Sequence, residues 1–309
     1  MTQLVLHHYP NSPFAEKIRT ILGYKGLTWT SVIIPVVLPK PDVVALTGGY
    51  RKTPILQIGA DIYCDTALIA DHLERLCPLP TLYPFSSNGL DRLLAQWADA
   101  TLFWAAIAYT LQPAGAAHIF AGMSEASVKA FVADRAAFRA NVARVRPADA
   151  LSSLTLYLGR LESMLLGGDR WLLGPDPSIA DFSVYHCLWF VYRGGPVADI
   201  LKGYPRLVEW WQRMRRIGHA QHDELDSGGA VELARSRTPQ ISSEEFMLEP
   251  YGLARGTEVE IAATDYGCDT VRGELVLSTP TEIAVRRFDE RAGEVVVHFP
   301  RLGFALKKA

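Results

Sequence analysis

Along the first eighty residues the period of apolar positions changes every few residues. Leu4-Val5-Leu6 is an unbroken apolar run, the pattern of a short buried strand. Pro10-Asn11-Ser12-Pro13 predicts a turn into a helix, with Pro13 at the first helical position. Phe14, Ile18, Ile21 and Leu22 then keep helical spacing until Gly26 ends it. Thr28 to Ile34 is rich in β-branched residues and predicts a second strand. A helix-turn region from Leu38 to Leu46 follows. Thr53 to Ile58 and Ile62-Tyr63, around Gly59-Ala60-Asp61, predict a β-hairpin. Asp65 opens a helix with Leu68, Ile69, His72, Leu73 and Leu76 on one face. The order is βαβα followed by ββα, a parallel pair extended by antiparallel strands.

Cys77-Pro78-Leu79-Pro80 breaks this pattern, and the stretch to Ser87 reads as a linker. From Asn88 to about His222 the spacing is helical. Leu90, Leu93, Leu94 and Trp97 mark one helix, Val128 to Val145 another, and Leu151 to Leu166 a third. Ser178-Ile179-Ala180-Asp181 has the form of a capping box, with Asp in place of the usual Glu or Gln. The helix it opens is apolar nearly all round, which predicts burial at the centre of its domain. A composition shift comes near residue 223, where Asp226-Ser227-Gly228-Gly229 and Arg237-Thr238-Pro239 flank a short Ala/Leu/Glu segment. Beyond Gly256, Val259–Ile261, Val271–Leu277, Glu282–Arg286, Val295–Phe299 and Gly303–Leu306 read as strands separated by turns. They predict a small antiparallel β-barrel. The expected fold is thus multidomain: an α/β domain over 1–80, an all-helical domain over 88–222 and the β-barrel-like domain over 246–309.

Composition narrows the function. With net charge −2 over 309 residues, and with no strongly basic segment, a broad nucleic-acid-binding face is not expected. Met1 to Pro10 lacks the pattern of a secretory signal. The most apolar stretch, Leu102 to Leu111, is too short to cross a membrane. Cys64, Cys77, Cys187 and Cys268 form no CxxC pair and read as reduced thiols, which fits a cytoplasmic location. His219, His222 and Asp223 are close enough to suggest metal ligands, but without a further ligand cluster they read as a solvated helix end, and no metal is expected. Arg286-Arg287 is a weak anion site at best.

Three local features carry chemistry. Ser12 stands where a strand gives way to a helix, and the free N–H groups there stabilise an anion such as a thiolate. Serine is also the preferred N-cap, and the two roles coexist. Asn11, and less directly Tyr9, are competing donors. Thr53-Pro54 follows Arg51-Lys52 and precedes a strand. A cis proline there would leave the groups of Thr53 free for a peptide-like ligand. Asp65-Thr66 offers a carboxylate, a hydroxyl and helix N-terminal donors to an amino-acid head group. Asp65 also reads as a plain N-cap, and Lys52 as a solvated charge.

In this order and spacing the chain resembles the cytosolic glutathione transferase superfamily. The resemblance runs through Tyr9-Pro10-Asn11-Ser12-Pro13-Phe14, Lys52-Thr53-Pro54-Ile55-Leu56, Asp65-Thr66-Ala67-Leu68-Ile69 and Ser178-Ile179-Ala180-Asp181-Phe182, covering about residues 3 to 222. It implies a thioredoxin-like first domain and glutathione as co-substrate. Ser12 would act on the glutathione sulfur, Thr53 beside a cis Pro54 would pair with the cysteinyl part, Asp65 and Thr66 would hold the γ-glutamyl group, and Lys52 would reach the glycyl carboxylate. Asp65 is shorter than the Glu or Gln usual there. Because Ser12 is not cysteine, it can favour a bound thiolate but cannot form a mixed disulfide. Phe14, Trp97, Phe103, Trp104 and Tyr109 are candidates for an electrophile pocket, although aromatics at helical spacing read first as core. The resemblance also implies a homodimer. Three functions follow: thiol transfer to a small electrophile, a non-catalytic binding protein whose barrel docks a partner, or a glutathione-dependent disulfide reductase without a protein cysteine.

Overall fold

The computed structural model describes residues 3–139, 145–240 and 250–309. The first unit is β1 (Val5–His8), α1 (Pro13–Lys25), β2 (Trp29–Ile33), α2 (Pro41–Thr47), β3 (Ile55–Ile58), β4 (Asp61–Cys64) and α3 (Thr66–Leu76). Strand β1 pairs with β2 in parallel and with β3 antiparallel, and β3 pairs with β4 antiparallel. This is the thioredoxin-like arrangement, with Ser12 and Asp65 as the N-caps of α1 and α3.

The helical unit comprises α4 (Leu90–Trp97), α5 (Phe103–Thr110), α6 (Pro113–Ile119), α7 (Glu125–Phe138), α8 (Pro147–Met164), α9 (Ile179–Tyr192) and α10 (Pro205–Ile217). A π-helical turn, Ala98–Leu102, joins α4 to α5. The helix expected over Val128 to Val145 is α7, which ends at Phe138; part of the expected stretch, 140–144, lies outside the described residues. Helix α9 is buried nearly all round, and both arms of the Ser178/Asp181 capping box are present. Asp181 goes further. It accepts from Leu172 N–H (3.0 Å), Ser178 N–H (2.9 Å) and Trp210 Nε1 (2.8 Å), tying α9 to α10 and to the preceding loop. Among the described residues no helix is long and apolar enough to cross a membrane.

The rest of the chain returns to the first sheet. β5 (His222–Glu224) pairs with β2, and α11 (Ser227–Arg235) packs on α2. The C-terminal strands β6 (Glu258–Ala263), β7 (Val271–Ser278), β8 (Glu282–Asp289), β9 (Gly293–Pro300) and β10 (Phe304–Lys308) all form where the alternation places them. Residues 246–249 of the expected third domain lie outside the described residues.

These strands are antiparallel among themselves, as expected, but they do not stand apart as a barrel. Strand β9 pairs in parallel with β4, so that ten strands make one sheet ordered β10-β6-β7-β8-β9-β4-β3-β1-β2-β5. The reason is the edge. Without β9, β4 would expose a row of unpaired N–H and C=O groups. The core follows the ladder: Val5, Val32, Ile55 and Ile62 of the first unit share one cluster with Val231, Ile261, Leu275, Val285, Val297 and Phe299. The opposite face of the first unit packs through Leu6, Ile18, Leu56 and Ile69 against the helices, including Leu102, Phe182 and Tyr185.

Candidate functional site

Ser12 is buried, and its Oγ accepts from Ala15 N–H at 3.2 Å. The cap uses an oxygen lone pair, so the hydroxyl proton is left for another acceptor. Asn11 is exposed, and its Oδ1 accepts from Arg193 Nη2 at 2.6 Å. The Thr53–Pro54 bond is cis. Among the described residues the N–H and C=O of Thr53 have no hydrogen-bond partner, and its Oγ1 is buried without one. Asp65 adopts φ +74°, a left-handed conformation rare for a non-glycine residue and concentrated at functional sites. Its carboxylate accepts from Ala67 N–H at 2.8 Å. Burial raises the Asp65 pKa against the pull of Ala67 N–H, Lys17 and Lys52.

Thr66 is reached from α1. The fully buried Lys17 donates from Nζ to Thr66 Oγ1 (3.3 Å) and to Asp99 Oδ2 (2.6 Å), while His186 Nε2 lies 2.9 Å from Asp99 Oδ1. Burial works to raise the Asp99 pKa, but Lys17 and His186 outweigh it and hold the carboxylate ionised. Sequence reasoning passed over Asp99. Its signals were present: it is the one charged residue between Trp97 and Leu111, and it sits on the π turn, a deformation frequent at functional sites.

Lys52 is committed elsewhere. Its Nζ donates to Asp265 Oδ1 at 2.6 Å and lies 4.0 Å from the ring centroid of Tyr266, both on the loop between β6 and β7. Lys40, by contrast, forms no ion pair among the described residues. It is 3% exposed and faces the Tyr9 ring at 5.8 Å. Burial, then Arg135 and Arg51, lower its pKa to about 8. A signal for Lys40 existed too. It occupies the N-cap of α2, where a lysine neither caps nor suits the positive end of the helix.

The aromatic candidates divide. Phe14 meets Phe103 at 4.6 Å, and Phe103 meets Trp104 at 5.0 Å, a row that begins two residues from Ser12. Trp97 turns instead to Tyr157, and Tyr109 donates to Val197 C=O, so these two serve the helical core. His219 lies 3.1 Å from Glu16 Oε1, whereas His222 stacks on Trp29. Arg286 forms a two-pronged pair with Glu274, and Arg287 donates to the Ala45 carbonyl.

Comparison with known proteins bears on the family and the fold. The family model for the glutathione S-transferase N-terminal domain matches residues 6–81, and that for the C-terminal domain matches residues 139–219. A GST-like protein from Pseudomonas syringae, a crystal structure, is 41% identical over 100% of both chains, with a TM-score of 0.85. The chain therefore belongs to the glutathione S-transferase superfamily. The β-etherase LigF from Sphingobium sp. strain SYK-6 shares the fold at 18% identity, covering 70% of this chain and 98% of its own, with a TM-score of 0.53. FzlA from C. crescentus does so at 21% identity, 71% and 96% coverage and a TM-score of 0.50. No curated protein sequence matches.

Proposed function

We propose that this chain is a glutathione transferase that binds glutathione between the N-termini of α1 and α3 and directs its thiolate at a small electrophile. The observation that carries this reading is the main chain of Thr53, unpaired among the described residues and set between Ser12 on α1 and Asp65-Thr66 on α3. A peptide-like ligand would supply the missing partners. Its sulfur would then lie near the Ser12 hydroxyl and the N–H of Phe14, since Pro13 has none and Ala15 N–H is held by Ser12. Its ammonium would face Asp65, with the Asp99 carboxylate beyond Thr66. Its glycyl carboxylate would fall to Lys40, since Lys52 already holds Asp265.

A free thiol ionises near about 8.5, and lowering that by about two units requires about 2.7 kcal/mol of preference for the thiolate. A helix N-terminus and one charge-assisted hydrogen bond are together of that order. In the reaction the thiol proton passes to water. The sulfur forms a bond to the electrophilic carbon, and the leaving group departs with its electron pair.

The test is a titration with reduced glutathione, following the ultraviolet absorbance of the bound thiolate across pH. Saturable binding with a lowered thiol pKa is expected. An absence of binding at millimolar glutathione overturns the reading.

A further inference from the structure

The loop between β6 and β7 reaches back across the cleft and touches both halves of the site. Toward the first unit, Asp265 pairs with Lys52 at 2.6 Å and Asp269 with Arg51 at 2.9 Å. Toward the helical unit, Gly267 N–H donates to the Phe138 carbonyl at 2.9 Å. Gly267 has φ +58°, and a Cβ there would lie 2.4 Å from the Phe138 ring, so this approach needs glycine. These anchors hold Tyr266 between the units. Its ring meets Trp104 edge-on at 5.1 Å and Phe138 at 5.3 Å, with interplanar angles of 81° and 78°.

The row of rings that starts at Phe14 therefore does not end at Trp104. It continues through Tyr266 to Phe138. Phe14, Trp104 and Tyr266 are only half-buried. Edge-to-face walls of this kind favour a flat ring over a saturated body of equal size.

We propose that Tyr266 is the specificity-determining residue of the electrophile pocket, a wall supplied by the C-terminal strands that selects planar aromatic second substrates. The inference rests on the glutathione reading for the chemistry done there, whereas the selection itself is a binding property.

The test uses two unreactive probes, 1,3-dinitrobenzene and the non-aromatic nitrocyclohexane, titrated into the full chain and followed by tryptophan fluorescence. Tyr266→Leu keeps apolar bulk without the ring, and Tyr266→Phe keeps the ring. The ratio of the two dissociation constants is expected to favour dinitrobenzene in the wild type, to shrink about tenfold in Tyr266→Leu and to survive in Tyr266→Phe. A general loosening of the loop would weaken both probes alike and leave the ratio unchanged. An unchanged ratio in Tyr266→Leu, or an equal loss in Tyr266→Phe, overturns the proposal. Glutathione binding by the wild type is read separately. If it fails while the ratio shifts, the transferase reading falls and the aromatic wall stands.

Discussion

His298 Nε2 of β9 lies 3.2 Å from Asp61 Oδ1 of β4, so an ion pair sits on the seam that joins the C-terminal strands to the first sheet. The other ring nitrogen, Nδ1, is 2.7 Å from Glu282 Oε1, and the ring stacks on Tyr63 at 4.4 Å. Burial works against the charged ring, but the hydrogen bonds and charges of Asp61 and Glu282 outweigh it and raise the His298 pKa. A raised folded-state pKa contributes stability that is complete below the unfolded value, about 6.5, and is lost as pH rises through the folded value.

His298→Gln leaves the buried Asp61 carboxylate without its cation and Glu282 with Arg75 alone, 3.3 Å away. A loss of about 3 kcal/mol is expected at pH 6. The difference in urea midpoint between wild type and variant should shrink as pH is raised toward 9. A difference that grows with pH would refute the assignment.

Buried His8 titrates in the opposite sense. Burial, and then Arg19, lower its pKa to about 3. Its Nδ1 lies 3.0 Å from Arg19 Nη1, so the neutral ring accepts that bond. The stability it contributes is present above about pH 6.5 and is lost as pH falls toward the lowered value. His8→Gln is expected to lose less stability than the wild type between pH 6.5 and 4, measured by urea unfolding at each pH.

Lys40, rather than Lys52, is expected to hold the glycyl carboxylate. Lys40→Met should weaken glutathione binding about tenfold, the scale of one charge-assisted hydrogen bond, and Lys52→Met by less than twofold. Because the Lys40 pKa is lowered to about 8, wild-type affinity should fall as pH rises past that value. Calorimetric titration of both variants decides between the two lysines.

Ser12→Ala removes a cap and a thiolate donor together. The cap is worth about 1 kcal/mol, seen as a lower thermal midpoint. The bound thiol should ionise within about one unit of 8.5, its value in water. A variant with a lowered midpoint and an unchanged thiol pKa would leave Ser12 as a cap only.

Asp181→Ala is expected to be the most damaging of these changes, at about 3–5 kcal/mol. It leaves the buried N–H groups of Leu172, Ser178 and Trp210 without an acceptor. Chemical unfolding, or the yield of folded protein, reports it directly.

What the sequence determined by itself is local. Ser12, Asp65 and the Ser178/Asp181 box cap helices within three residues of themselves, and the five C-terminal strands follow from alternation and turns. Caps and periodicity depend on near neighbours, so they can be read from the chain alone. What only the tertiary structure decided rests on partners far apart in sequence. The edge of β4 accepts β9 in place of a closed barrel. Asp265 takes Lys52 across 213 residues, and His298 reaches Asp61 across 237. No local pattern encodes which surface charge meets which, or which open edge is covered. Those choices follow from how the strands of one sheet bury a common apolar face and satisfy one another's hydrogen bonds.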